Sequence, residues 1–128
     1  MEFDKDELIK YRVKRAKETA EDARIALEND RLHNAENRIY YAIFYIISAL
    51  ALQNDFSTSK HSQLLSWFNR NYVKTGKVNK EIGKIYKKQF ENRLEGDYDD
   101  FVELNKEDVE VDYKNMLDFI SEIEKLFT

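Results

Sequence analysis

Apolar residues are unevenly distributed along the chain, and the longest apolar stretch, 39–52, reads IYYAIFYIISALAL, fourteen residues without a charge. It is too long for a typical strand and has no turn residue inside it. It is also too short for a membrane span, which needs about 20 apolar residues. A helix that is apolar all round must be buried on every side, so this stretch is predicted to be a central helix with the others packed against it. Asn34, Glu36, Asn37 and Arg38 lie at its N-terminal edge. Polar groups entering a buried helix need partners, which directs the search for a site to that end.

The flanking segments carry helical spacing too. A first helix is predicted over 5–29, capped by Asp4, with the stripe Leu8, Tyr11, Ala16, Ala20, Ala23 and Leu27. Its alanines would let a neighbour approach closely. Asn29-Asp30-Arg31 breaks the pattern, and Asn34 is the expected cap of the central helix, which ends near 53–55. Ser57-Thr58-Ser59 offers caps for a third helix carrying Leu64, Leu65, Phe68 and Tyr72, which stops at Thr75-Gly76. Asn79 should cap a fourth helix with the stripe Ile82, Tyr86, Phe90 and then Arg93, an arginine continuing a buried line. Gly96 is expected to end it, leaving 97–101 as an acidic, aromatic loop. Asn105 should cap a fifth helix with the stripe Val109, Tyr113, Met116, Leu117, Ile120, Ile123 and Phe127. The result is one all-α domain over 1–128, an antiparallel bundle of four or five helices.

Composition agrees and narrows the chemistry. Proline is absent and glycine scarce, which favours helix throughout. With no cysteine there can be neither disulfides nor thiolate metal sites, and a cytoplasmic location is expected. The N-terminal residues are too charged for a signal peptide. A net charge of −4 argues against bulk nucleic-acid binding, yet it hides a strong asymmetry. Between 70 and 88 there are seven bases and one acid, whereas 91–112 holds ten acids and two bases. Arg70, Lys74, Lys77, Lys84 and Lys88 form the predicted RNA-backbone surface.

Three groups of residues are candidates for a site. Asn37, Tyr41 and Tyr45 are spaced by four and share a helix face, with Arg38 beside it. His61 lies near the start of the third helix, and Arg93, Asp97 and Tyr98 lie at the end of the fourth. The three glycines are scattered, so there is no Gly-rich phosphate loop. There is no HExxH, and no Glu-x-x-His pair of the kind that binds two metals in helical bundles. No metal or cofactor is expected.

The segments NRIYYAIFY (37–45), KHSQLLSWF (60–68), VKTGKVNKEIGKIY (73–86) and FENRLEGDYDDF (90–101), in this order, resemble the HEPN superfamily, the higher eukaryotes and prokaryotes nucleotide-binding domain. The match is to its small stand-alone prokaryotic branch, with an R-x-YYA-x-FY helix and an R-x-x-x-DY ending, and covers roughly 8–127. The resemblance implies a helical bundle that forms a homodimer. It also implies a minimal nucleotidyltransferase partner in a toxin–antitoxin or defence module. Many members of the superfamily are metal-independent ribonucleases marked by an Arg followed four to six residues later by a His. This chain departs from that signature: neither His33 nor His61 has such an Arg, and Arg93 is followed instead by Asp97 and Tyr98. Tyr98 stands where related toxins carry a tyrosine that the partner adenylylates.

Three functions follow. The first is a nucleotide- or RNA-binding partner protein with a pocket of Asn37, Arg38, Tyr41, His61, Arg93, Asp97 and Tyr98. The second is a ribonuclease in which Arg93, His61 and Tyr98 are catalytic. The third is a purely structural dimerisation module.

Overall fold

The computed structural model describes residues 4–98 and 103–127, including all of their side chains except those of 94–98. Five α-helices follow one another: α1 (Lys5–Glu28), α2 (Leu32–Gln53), α3 (His61–Phe68), α4 (Lys80–Tyr98) and α5 (Lys106–Glu124). The predicted all-α bundle is what forms. A π-helical turn, Asn69–Val73, prolongs α3. No helix among the described residues is long and apolar enough to cross a membrane.

α2 is the centre of the fold. Ile39, Ile43, Ile46, Ile47 and Leu50 are fully buried. α1 runs antiparallel along it and contributes Ala16, Ala20, Ala23 and Ala26, whose small side chains admit close approach. Leu64 and Phe68 of α3, Tyr86 of α4, and Met116, Phe119 and Ile123 of α5 close the remaining sides. One chain thus buries most of α2. Its incompletely covered face consists of Tyr41, Phe44 and Tyr45.

The helix ends show how local chemistry sets these lengths. Asp4, Asn79 and Asn105 each accept a hydrogen bond from the backbone N–H two residues on, as their spacing predicted. α1 and α2 both end in Asn-Asp. In each case the aspartate is left-handed (φ 56° at Asp30, 61° at Asp55) and the next N–H bonds back five residues, Arg31 to Ala26 and Phe56 to Ala51. That tight reversal starts α2 already at Leu32, with no side-chain cap, so Asn34 lies inside the helix instead of capping it. Likewise α3 begins after Lys60, while Thr58 accepts from the Lys60 N–H. α4 continues past Gly96 to Tyr98.

Two predicted stripes are corrected. Tyr11 is 58% exposed and Leu117 43% exposed. The buried line of α5 is instead Val109, Asp112, Met116, Phe119 and Ile123, spaced by three and four. Counting only apolar residues hid it, because one of its members is an aspartate.

Gly83 of α4 packs against the π-helical turn. A Cβ there would come within 2.7 Å of Val73 Cγ2, on a branched and therefore stiff side chain. We expect Gly83→Ala to lower stability by about 1–3 kcal/mol in urea unfolding through overpacking. The double variant with Val73→Ala should recover part of the loss, and equal losses in the single and double variants would exclude this clash.

Candidate functional site

The polar start of α2, His61 and Arg93 meet over a pair of tyrosines. Tyr40 is buried, and its hydroxyl lies 2.7 Å from His61 Nδ1. The imidazole stacks on Phe44 at 4.2 Å between ring centres and on Tyr40 at 5.7 Å. Arg93 approaches the same tyrosines from α4. Its guanidinium carbon stands 5.2 Å from the Tyr40 ring centre and 5.7 Å from that of Tyr41, and Nη2 donates to the Tyr41 hydroxyl at 3.4 Å. Arg38 lies 5.3 Å from the Tyr41 ring centre and donates to Asn37 Oδ1 at 2.6 Å and 3.1 Å. The sequence candidates Arg38, Tyr41, His61 and Arg93 therefore form one cluster, with Asn37 beside it. Asp97 and Tyr98 belong to α4, but their side chains lie outside the described residues.

The electrostatics follow from this packing. Burial, and then the charge of Arg93, hold the His61 imidazole below its ordinary pKa. It is therefore neutral at pH 7. Burial pushes the Tyr40 phenol up, so it keeps its proton. With the Tyr40 hydroxyl as donor to Nδ1, the neutral imidazole carries its proton on Nε2. Guanidinium, imidazole N–H and phenol then make a donor-rich surface of the kind that takes a phosphate.

A second polar group lies next to it. Arg93 and Asn37 also line a cleft of about 550 Å³ between α2, α4 and α5. At its base Glu36 faces Asp112 of α5, and Lys88 Nζ lies 2.9 Å from Asp112 Oδ1. Asp112 is 3% exposed. Burial, then the hydrogen bond and charge of Asp112, hold the Glu36 carboxyl far above the carboxylate range. Burial alone would raise Asp112 as well, but hydrogen bonds from Glu36, Lys88 and Gln89 outweigh it and keep Asp112 ionised. The group is thus a neutral Glu36, an anionic Asp112 and a cationic Lys88, with no net charge to bury.

This arrangement changes the reading of the basic run. Lys88 is engaged by Asp112, Lys84 pairs with Glu81 at 3.1 Å, and Lys77 sits 5.5 Å from the Tyr72 ring centre. Arg70 and Lys74 are exposed. Five bases close in sequence are not five bases presented together. Tyr40, Phe44, Glu36 and Asp112 escaped the sequence reading. The only available signal was polar or aromatic residues at helical spacing on buried faces, which looks the same as core.

The HEPN domain model matches residues 9–126. The chain belongs to the HEPN family. A Thermotoga maritima relative, named only as a UPF0332 protein, is 50% identical over 123 residues, covering 96% of this chain and 93% of that one. A Methanocaldococcus jannaschii protein named "Putative toxin MJ0142" is 34% identical over 99 residues, covering 73% of this chain and 66% of the other. A second from that organism, "Putative toxin MJ0605", is 32% identical over 83 residues, 65% of this chain and 62% of its own length. The HEPN assignment thus rests on nearly the whole bundle, and the toxin-named relatives on a shorter part of it.

Proposed function

We propose that this HEPN domain binds single-stranded RNA or a nucleotide as one half of a toxin–antitoxin module. The cluster of His61 and Arg93 over Tyr40 and Tyr41 is the anion site. The observation that carries the reading is the convergence itself: α2, α3 and α4 each bring a polar group to one place, and those groups donate hydrogen bonds. Arg93 offers planar recognition of a phosphate, and Tyr41 offers a ring for base stacking. Asp97 and Tyr98 follow Arg93 by four and five residues and are assigned to the same end of α4. The toxin-named relatives and the superfamily resemblance support the module. They also support a homodimer and a minimal nucleotidyltransferase partner, with Tyr98 as the residue that partner would modify. The remaining face of α2, Tyr41 with Phe44 and Tyr45, is the dimer surface or the ligand surface.

One observation favours a second reading, metal-independent RNA cleavage. His61 and Arg93 share the Tyr40 ring despite their separation in sequence. In the other imidazole tautomer Nδ1–H donates to Tyr40 and Nε2 is a base. It would take the proton of a ribose 2′-hydroxyl as that oxygen attacks phosphorus and the bond to the 5′-oxygen breaks, with Arg93 holding the negative charge. The leaving 5′-oxygen would take its proton from water.

Incubation of the purified protein with labelled single-stranded RNA in EDTA, with binding and product length followed together, tests both readings. Salt-sensitive binding without shortening supports the binding protein. Shortening that disappears in Arg93→Ala supports the nuclease. Neither binding nor shortening would overturn both and leave the structural dimer.

A further inference from the structure

The charged residues of this protein are mostly neutralised by partners, with a local exception. Among the described residues, Lys5, Lys14, Lys17, Arg24, Lys84, Lys88, Lys106 and Lys125 each face a carboxylate. Arg12, Arg15 and Arg38 do not, although all three are half-buried. A cation removed from water normally takes a carboxylate partner. These three instead lie against aromatic rings and backbone on one face. Arg15 stands 5.0 Å from the Tyr45 ring centre and donates to its hydroxyl at 3.3 Å. Arg12 donates to the Ser48 carbonyl at 3.2 Å. Arg38 covers Tyr41.

The faces join. Tyr41 and Tyr45 lie 6.1 Å apart, and Phe44, 6.0 Å from Tyr45, stacks on His61. Arg12, Arg15, Phe44, Tyr45 and His61 line a groove of about 670 Å³ between α1, α2 and the start of α3, with no acidic residue in its wall. From Arg38 to Ser48 the row follows α2 for about 15 Å, at about 1.5 Å per residue.

We infer that this groove carries the RNA strand adjoining the phosphate held by Arg93 and His61, with Arg12 and Arg15 contacting its backbone and Tyr45 and Phe44 stacking its bases. The inference rests on the RNA reading given above and moves the backbone track away from the basic run of 70–88. Alternating cations and rings on a carboxylate-free wall complement a polyanion with stackable bases, and single-strand sites combine these two elements. A folded protein partner would gain nothing from three cations without opposing acids.

Fluorescence anisotropy with a labelled single-stranded RNA oligonucleotide of mixed sequence tests this. The protein is compared with Arg12→Gln/Arg15→Gln, which keeps side-chain length, and with Lys74→Ala/Lys77→Ala on the competing surface. We expect the glutamine pair to weaken binding about 10-fold or more and to lower the slope of log affinity against log salt by about 2, one per lost phosphate contact. The lysine pair should cost less than about 3-fold. If the wild type binds RNA and the glutamine pair binds equally well, the groove is overturned while the RNA reading stands. If the wild type binds no RNA, both fall. A wild-type dimer that the glutamine pair converts to monomer, with RNA affinity kept, would make this face an interface between copies and would also overturn the inference.

Discussion

Arg93→Ala should weaken binding of single-stranded RNA by about 10- to 100-fold while the bundle stays folded. The guanidinium reaches both Tyr40 and Tyr41 and lies close enough to His61 to depress its pKa. A hydrogen bond to a charged group contributes about 1.5–3 kcal/mol, which corresponds to that range of affinity. Arg93 is half-buried at the margin of the core, whereas Phe68, Tyr86 and Phe119 fill its centre. The expected loss is therefore of binding, with a small change in melting temperature. Arg93→Lys keeps the charge but not the planar fork, and should recover only part of the affinity. Full recovery by lysine would mean that charge alone matters and that the stacking over the tyrosines is incidental. An unchanged affinity in Arg93→Ala would remove Arg93 from the site.

The second large effect concerns pH. Folding holds the Glu36 carboxyl at about 9, so the folded chain keeps a proton that the unfolded chain releases at the ordinary carboxylate pKa. In that window the folded state binds more protons than the unfolded one, and stability must fall as pH rises from about 4.5 towards 9. Asp112 has the opposite sign. Its folded pKa is depressed, so its contribution is present above the ordinary aspartate value and is lost on acidification below it. The pair therefore favours mildly acidic conditions, where Glu36 is protonated and Asp112 is not. Glu36→Gln makes the neutral state permanent and keeps a donor towards Asp112. We expect it to flatten the alkaline fall and to be about 2 kcal/mol more stable than the parent at pH 8.5, with little difference at pH 5. Urea unfolding at several pH values measures this directly, and parallel pH profiles for the two proteins would contradict the shared proton.

The parts of this fold that could be read from sequence were those governed by local rules. The uncharged run in α2 could be buried in only one way, and Asp4, Asn79, Asn105 and Gly76 marked helix ends through their own backbone chemistry. What could not be read depends on which helix lies beside which. Asp112 sits on a buried line only because Glu36 and Lys88 reach it from two other helices. Arg12 and Arg15 look like ordinary solvated residues of α1 until Ser48 and Tyr45 are placed opposite them. Arg93 was conspicuous as an arginine continuing a buried stripe, and His61 as an isolated histidine. Their meeting over Tyr40 required α3 and α4 to pack on the same end of α2. The Asn-Asp endings of α1 and α2 had the opposite fate. Both breaks were visible, but the left-handed aspartate that starts α2 three residues early was not.

The central claim is that His61 and Arg93 act together on an RNA phosphate. The most direct measurement is NMR of side-chain-labelled protein during titration with a short single-stranded RNA. The account predicts that the His61 imidazole and Arg93 guanidinium resonances shift together and saturate at one concentration, and that the His61 pKa rises when the phosphate arrives. Binding that shifts the lysines of 74–88 and leaves both resonances in place would contradict it.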